Sequence, residues 1–130
     1  MLKIAVPTHA RDEMLDITKQ VSQAVTDSGV KSGLCVVFVP HTTAAITINE
    51  NADADVQRDV LVHMDKVAPY QGGDYRHNEG NSAGHIKSSL FGSSVTVPVE
   101  EGRLCLGTWQ SIFFCEFDGP RQRQAWIQIQ

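Results

Sequence analysis

The sequence contains no apolar run approaching the roughly 18 consecutive residues that cross a membrane as a helix. It also lacks a basic excess: 11 Lys and Arg stand against 15 Asp and Glu, for a formal net charge of −4. General nucleic-acid binders carry a basic face, so no nucleic-acid partner is expected. A local basic pocket for a phosphate stays open, since Arg103, Arg121 and Arg123 near the C-terminus could form one. There is no Walker loop, no dinucleotide fingerprint, no His-Glu-x-x-His helix and no Cys-x-x-Cys pair. Cysteine is scarce and odd in number. Cys35, Cys105 and Cys115 each fall in an apolar, strand-like run, which predicts free buried thiols in a reducing cytoplasm. The first seven residues alternate and are too short an apolar stretch to suggest a signal peptide.

What is present suffices for one core. Of the 130 residues 42% are hydrophobic, and no shift in composition divides the chain, so a single domain over 1–130 is expected. Residues 2–6 alternate as a first strand ending at Pro7. Asp16 is placed to cap a helix over 16–28, with Ile17, Val21, Ala24, Val25 and Ser28 on one face and Gly29 as C-cap. The run 34–39, between Gly33 and Pro40, predicts a strand buried on both faces. A bend at His41–Thr43 leads to a strand around 46–48. Asn51 or Asp53 caps a second helix over about 53–68, its stripe made by Val56, Val60, Met64 and Val67, and Pro69 ends it.

Residues 83–90 predict a short helix, and the rest is β: a strand over 94–99, a hairpin turn at 100–102, and a return strand over 103–108. A further strand spans 109–117, Asp118-Gly119-Pro120 turns the chain, and 124–129 closes it. Two main helices early and closely spaced strands late imply an α+β fold.

The chemistry-bearing stretch is 75–90, Tyr-Arg-His-Asn-Glu-Gly-Asn-Ser-Ala-Gly-His-Ile-Lys-Ser-Ser-Leu, too polar and glycine-containing for core. His77 and His85 within it, and His41 after a buried strand, are candidate metal ligands, because three protein ligands leave zinc a position for water or substrate. A lone histidine in a polar loop is more often a solvated or structural residue; His9 and His63 are given no role. Glu50, Asp53 and Glu116 could orient an imidazole or act as base, while Asp53 also reads as a cap and Glu116 as a harmless alternation in its strand. Ser88 and Ser89 follow His85 closely. Gly107-Thr108-Trp109-Gln110 combines neutral hydrogen-bonding groups with an aromatic plate; its bland reading is a bulge with Trp109 in the core.

Pro40-His41-Thr42-Thr43-Ala44-Ala45 with Asn49-Glu50-Asn51 resembles the signature of the YjbQ-like family. So do Tyr75-Arg76-His77-Asn78, Gly84-His85-Ile86-Lys87-Ser88 and Gly102-Arg103-Leu104 through Gly107-Thr108-Trp109-Gln110. The resemblance runs in order over about 16–129, and departs from the family at Asn81-Ser82-Ala83-Gly84. It implies an α+β domain with a β-sandwich-like core of mostly antiparallel strands, assembled as a homotrimer with a polar cleft near the interfaces. It further implies a secondary thiamine-phosphate synthase, joining a pyrimidine pyrophosphate to a thiazole phosphate.

By motif position, His41, His77 and His85 would line a pocket for a divalent metal, zinc or magnesium. Glu50, Glu116 and Ser89 would be the catalytic candidates beside it. Lys87, Arg103 and Arg121 would bind phosphate oxygens; Trp109 would stack on a heterocycle, with Thr108 and Gln110 hydrogen-bonding the substrate. Two other readings compete: a metal-dependent hydrolase or phosphatase with Glu50 or Glu116 as base, and a non-catalytic metal- or metabolite-binding trimer.

Overall fold

A computed structural model describes residues 1–130. The elements are β1 (Leu2–Pro7), β2 (Glu13–Asp16), α1 (Thr18–Ser28), β3 (Gly33–Phe38), β4 (Ala44–Glu50) and α2 (Ala54–Val67), then α3 (Ser82–Phe91), β5 (Ser94–Glu100), β6 (Arg103–Leu104), β7 (Gln110–Glu116) and β8 (Gln122–Ile129). The fold is α+β, with every strand pair antiparallel. A five-stranded sheet runs β1-β8-β3-β5-β6 and a three-stranded sheet runs β2-β7-β4.

Strand alternation explains the layering. On β7, Ile112 and Phe114 join the main core with Val37, Val97 and Ile127 of the larger sheet, and with Val21 and Val25 of α1. Phe113, Cys115 and Phe117 face the other way and form a second cluster with Ala45, against which Leu61 of α2 and Phe91 of α3 pack. The order of layers is therefore large sheet, small sheet, then α2 and α3. β7 is the strand buried on both faces.

That role was expected of β3, which instead buries only Cys35 and Val37 on one side. Leu34 and Phe38 stay 47% and 39% exposed, because nothing in the chain covers the outer face of the large sheet. Three other expectations are corrected. Asp16 ends the unforeseen strand β2, and its carboxylate accepts from the Thr18 N–H at the start of α1. The return strand is only Arg103–Leu104, so Cys105 is exposed rather than buried. Of the α2 stripe, Val67 is exposed, whereas Leu61 makes the inward contact. The cap at Asp53 and the left-handed Gly29 are where the local chemistry puts them. Glu101 and Gly102, both at positive φ, make the two-residue turn between β5 and β6.

One end of the sandwich is closed by charge. Glu116 on β7 and Arg123 on β8 point between the two sheets, and both are buried. Arg123 donates to both carboxylate oxygens, Nε to Oε1 at 2.9 Å and Nη2 to Oε2 at 2.5 Å. Thr8 Oγ1 donates to Oε1 at 2.7 Å, and the Phe117 and Asp118 N–H groups donate to Oε2. Arg123 Nη2 also reaches Thr43 Oγ1 at 2.8 Å. A buried pair adds little net stability over apolar residues, but removing one partner leaves an uncompensated charge. Glu116→Ala should therefore lower the unfolding free energy by about 3–5 kcal/mol, read by urea denaturation. A loss under about 1 kcal/mol, the range of exposed pairs, would show that the pair does not close this end.

Candidate active site

The cleft lies over that charged end. β3 delivers the chain to Pro40 and His41, and the main-chain turn through Thr42 and Thr43 rests on Arg123. Half-buried His41 accepts the Gln124 N–H on Nε2 at 3.0 Å, which fixes a neutral ring with its proton on Nδ1. Burial, then the positive charge of Arg123, hold its pKa below the ordinary 6.5.

α3 supplies the opposite wall. It comes close because Gly84 has no side chain: a Cβ there would stand 2.9 Å from the Phe117 carbonyl oxygen and 3.4 Å from Thr43. Ser88 Oγ donates to the Thr42 carbonyl at 2.5 Å and pins the helix to the His41 turn. On its other side Lys87 is fully buried, its ammonium 2.9 Å from Asp12 and 2.6 Å from Asp65, beneath the ring of Tyr70. Tyr70 donates to Asp12, and burial followed by that carboxylate pushes its phenol far above the usual range. The Lys87 hydrogen bond holds Asp65 below the ordinary carboxylate range.

His85, in the first turn of α3, is where the cavities meet. One, of about 300 Å³, is lined by His41, Thr43, Glu79, Asn81, His85 and Arg121 among others. A second adjoins His41, His85 and Ser89, and a third adjoins Tyr75, Arg76, His77 and His85. His77 meets His85 edge-on, with ring centroids 5.3 Å apart, and His77 Nε2 lies 3.8 Å from Glu79.

The anticipated residues divide between the two ends of the sandwich. His41, His77, His85, Ser89 and Arg121 surround the cleft. Ser89 spends its hydroxyl on the His85 carbonyl at 2.8 Å. Glu116 lies beneath the cleft with its oxygens engaged as above, so its geometry is that of a support rather than a base. Lys87 is turned away from the cleft into its own carboxylate pocket.

Glu50 pairs with Gln110 at the far end of β4, whereas Ala44 pairs with Glu116 at the near end. Six residues of strand separate the two ends by about 20 Å. Trp109 is 64% exposed, neither in the core nor near the histidines, and Thr108 and Gln110 flank it. Arg103 lies beyond the far end of β5, opposite Glu100, beside α1.

Three His, Cys, Asp or Glu side chains do not converge anywhere in the chain closely enough to hold a metal ion. His77 and His85 are neighbours, but His41 Nε2 is committed to the Gln124 amide. The lone chain thus offers an imidazole pair, not a three-histidine set, and no chemical step is assigned to an ion. The residues missed from sequence are Asn81, Asp118 and Thr43, all on the cleft wall. Asn81 and Asp118 have the composition of an ordinary cap and turn, which conceals them.

A family model described as "UPF0047 protein YjbQ-like" matches residues 2–130. The chain is 53% identical over 130 residues to the UPF0047 protein YugU of Bacillus subtilis (strain 168), spanning 99% of this chain and 98% of YugU. It is 47% identical over 129 residues to a UPF0047 protein of Methanocaldococcus jannaschii, with 99% and 93% covered. A crystal structure of an uncharacterised conserved YjbQ/UPF0047-family protein from Clostridium acetobutylicum aligns over 100% of both chains, with TM-score 0.98 and 55% identity. A conserved hypothetical protein from Thermus thermophilus aligns over 100% of both, with TM-score 0.93 and 40% identity.

The His41 geometry has a measurable consequence. Its folded pKa is depressed, so the neutral ring is favoured by folding, and that contribution is lost as pH falls below the unfolded value of 6.5. NMR titration should place the His41 midpoint below 6.5, with a neutral Nδ1–H ring at pH 7. A midpoint at or above that value would contradict the Gln124 hydrogen bond.

Proposed function

Because the chain belongs to the YjbQ-like (UPF0047) family, we propose that the histidine cleft is the active site of an enzyme acting on a small phosphorylated metabolite. The reaction we infer is the auxiliary thiamine-phosphate synthase type. A thiazole nitrogen attacks the methylene carbon of hydroxymethylpyrimidine pyrophosphate, the new C–N bond replaces the C–O bond, and pyrophosphate leaves. The observation that carries this reading is the position of His85, which adjoins three cavities with His41 and His77 on either side.

The residues can serve a pyrophosphate leaving group. The first N–H groups of α3 receive no side-chain cap, and a helix N-terminus favours an anion. Arg121 is half-exposed on the same wall. Neutral His41 can keep its Nδ1–H as a donor, and His85 can donate to a leaving phosphate oxygen. A divalent ion enters only as a proposal: His77 and His85 would contribute two nitrogens and leave the other positions to water or substrate.

Assembly and location belong to the same proposal. Leu34 and Phe38 stand exposed on the uncovered face of the large sheet, which supports self-association as a homotrimer. Glu50, Arg103, Thr108, Trp109 and Gln110 would then reach a cleft only by way of a neighbouring copy. Buried, unpaired Cys35 and Cys115 support a reducing cytoplasm. No helix is long and apolar enough to cross a membrane.

Purified protein supplied with both thiamine precursors and a defined divalent metal should form thiamine phosphate. His77→Ala and His85→Ala should each lower the rate by about 10²-fold or more, the scale of a lost acid–base or positioning group, while His63→Ala leaves it intact. Phosphate-ester turnover without condensation would replace this reading with a hydrolase; bound metal with neither activity would replace it with a binding protein. Light scattering should give about three times the chain mass, and a monomer would remove the shared-cleft part of the proposal.

A further inference from the structure

Within the cleft wall one polar atom has no structural use. Asn81 is only 8% exposed and lines the cavity shared with His41 and His85. It holds the N-cap position of α3, yet its side chain caps no helix N–H. Its backbone carbonyl takes the Gly84 and His85 N–H groups instead. The amide Nδ2 is turned to Asp118, donating to Oδ2 at 2.8 Å, and this leaves Oδ1 buried without a donor.

The orientation is dictated by chemistry. A carboxylate accepts only, so the nitrogen must face Asp118 and the oxygen cannot exchange places with it. Arg121 Nη2 donates to the same Asp118 oxygen at 2.9 Å, and its Nε holds the Asp118 main-chain carbonyl. Asp118 Oδ1 receives no hydrogen bond. The frame Asn81–Asp118–Arg121 therefore leaves two acceptors without a donor, the buried neutral Asn81 Oδ1 and the anionic Asp118 Oδ1, on residues that line one cavity. An acceptor buried without a donor bears the full desolvation of that group until a ligand or water supplies one.

We propose that Asn81 and Asp118 form a subsite for an uncharged amino group on a planar ring of the ligand. This rests on the reading of the cleft as a metabolite site and specifies which part of the ligand enters this corner. A ring-bound –NH2 has two N–H donors, one for each acceptor. A metal ion fits less well, because hard cations take about six or more oxygen ligands and the Arg121 guanidinium already occupies Asp118. Arg121 opposes an ammonium group for the same reason. His41 and Thr42 complete the wall of this cavity.

The test compares two probes that differ in one group, 4-aminobenzyl phosphate and benzyl phosphate, titrated calorimetrically into the full-length protein, with inorganic phosphate titrated alongside. The amino probe should bind about tenfold more tightly, as one to two added hydrogen bonds imply. That ratio should fall to about threefold or less in Asp118→Asn and in Asn81→Leu, because each removes one of the two acceptors, each variant being checked for an unchanged melting transition. If one variant fails to fold, the other decides. Equal binding of the two probes to the natural protein overturns the subsite while the cleft reading stands. An undiminished advantage in a folded variant overturns the assignment to these residues. If neither probe nor inorganic phosphate binds, the cleft reading falls and the subsite with it.

Discussion

The ion pair between Glu116 and Arg123 is the constraint on which the site depends. It bridges the two sheets where the apolar core ends, and each partner sits on the strand that also builds that core. From it the dependence runs outward through short links. Arg123 holds Thr43; the adjacent Gln124 amide holds His41; the Thr42 carbonyl holds Ser88, one turn along α3 from His85. Two histidines far apart in sequence thereby acquire a common wall. A buried pair of this kind is an inefficient source of stability. Its value here is positional, because a slip of either strand by one residue would turn one charge outward and leave the other alone inside.

A second polar anchor acts on the opposite side of α3. Lys87 lies in the row of the helix that also buries Ala83, Gly84 and Ser88, and its ammonium is received by Asp12 and Asp65. Asp12 belongs to the connection before β2 and Asp65 to α2, so one side chain ties three segments together. Arg11 lies over the Tyr70 ring at 3.6 Å and completes the cluster. With Ser88 fastened on one side and Lys87 on the other, α3 has little freedom to rotate, and His85 is held towards the cleft. Both anchors are polar, so the helix that carries His85 is held by hydrogen bonds as well as by apolar burial.

This explains what the sequence disclosed and what it concealed. Period-two alternation and turn residues locate β1, β5, β7 and β8, and Asp53 and Gly29 mark helix ends because capping is local chemistry. The α+β class and the family follow from the ordered motifs. β2 was hidden because Glu13–Asp16 is too short to show a period, and β3 misled because a continuous apolar run does not say whether both faces are covered. Lys87 looked like a phosphate ligand; that a lysine could be a core residue depends on two carboxylates brought in from elsewhere. His41, His77 and His85 were recognisable as residue types in polar surroundings. That Glu50 and Trp109 occupy the far end was not, because the division arises from strand register and not from sequence distance.

The central claim is that the ligand-binding end of this sandwich is the one closed by Glu116 and Arg123. Backbone amide shifts of the ¹⁵N-labelled protein during titration with inorganic pyrophosphate test it most directly. The largest shifts should fall on Thr42, Asn81, His85 and Arg121. Largest shifts at Glu50 and Gly107 to Gln110, with Asn81 and His85 unmoved, would contradict it.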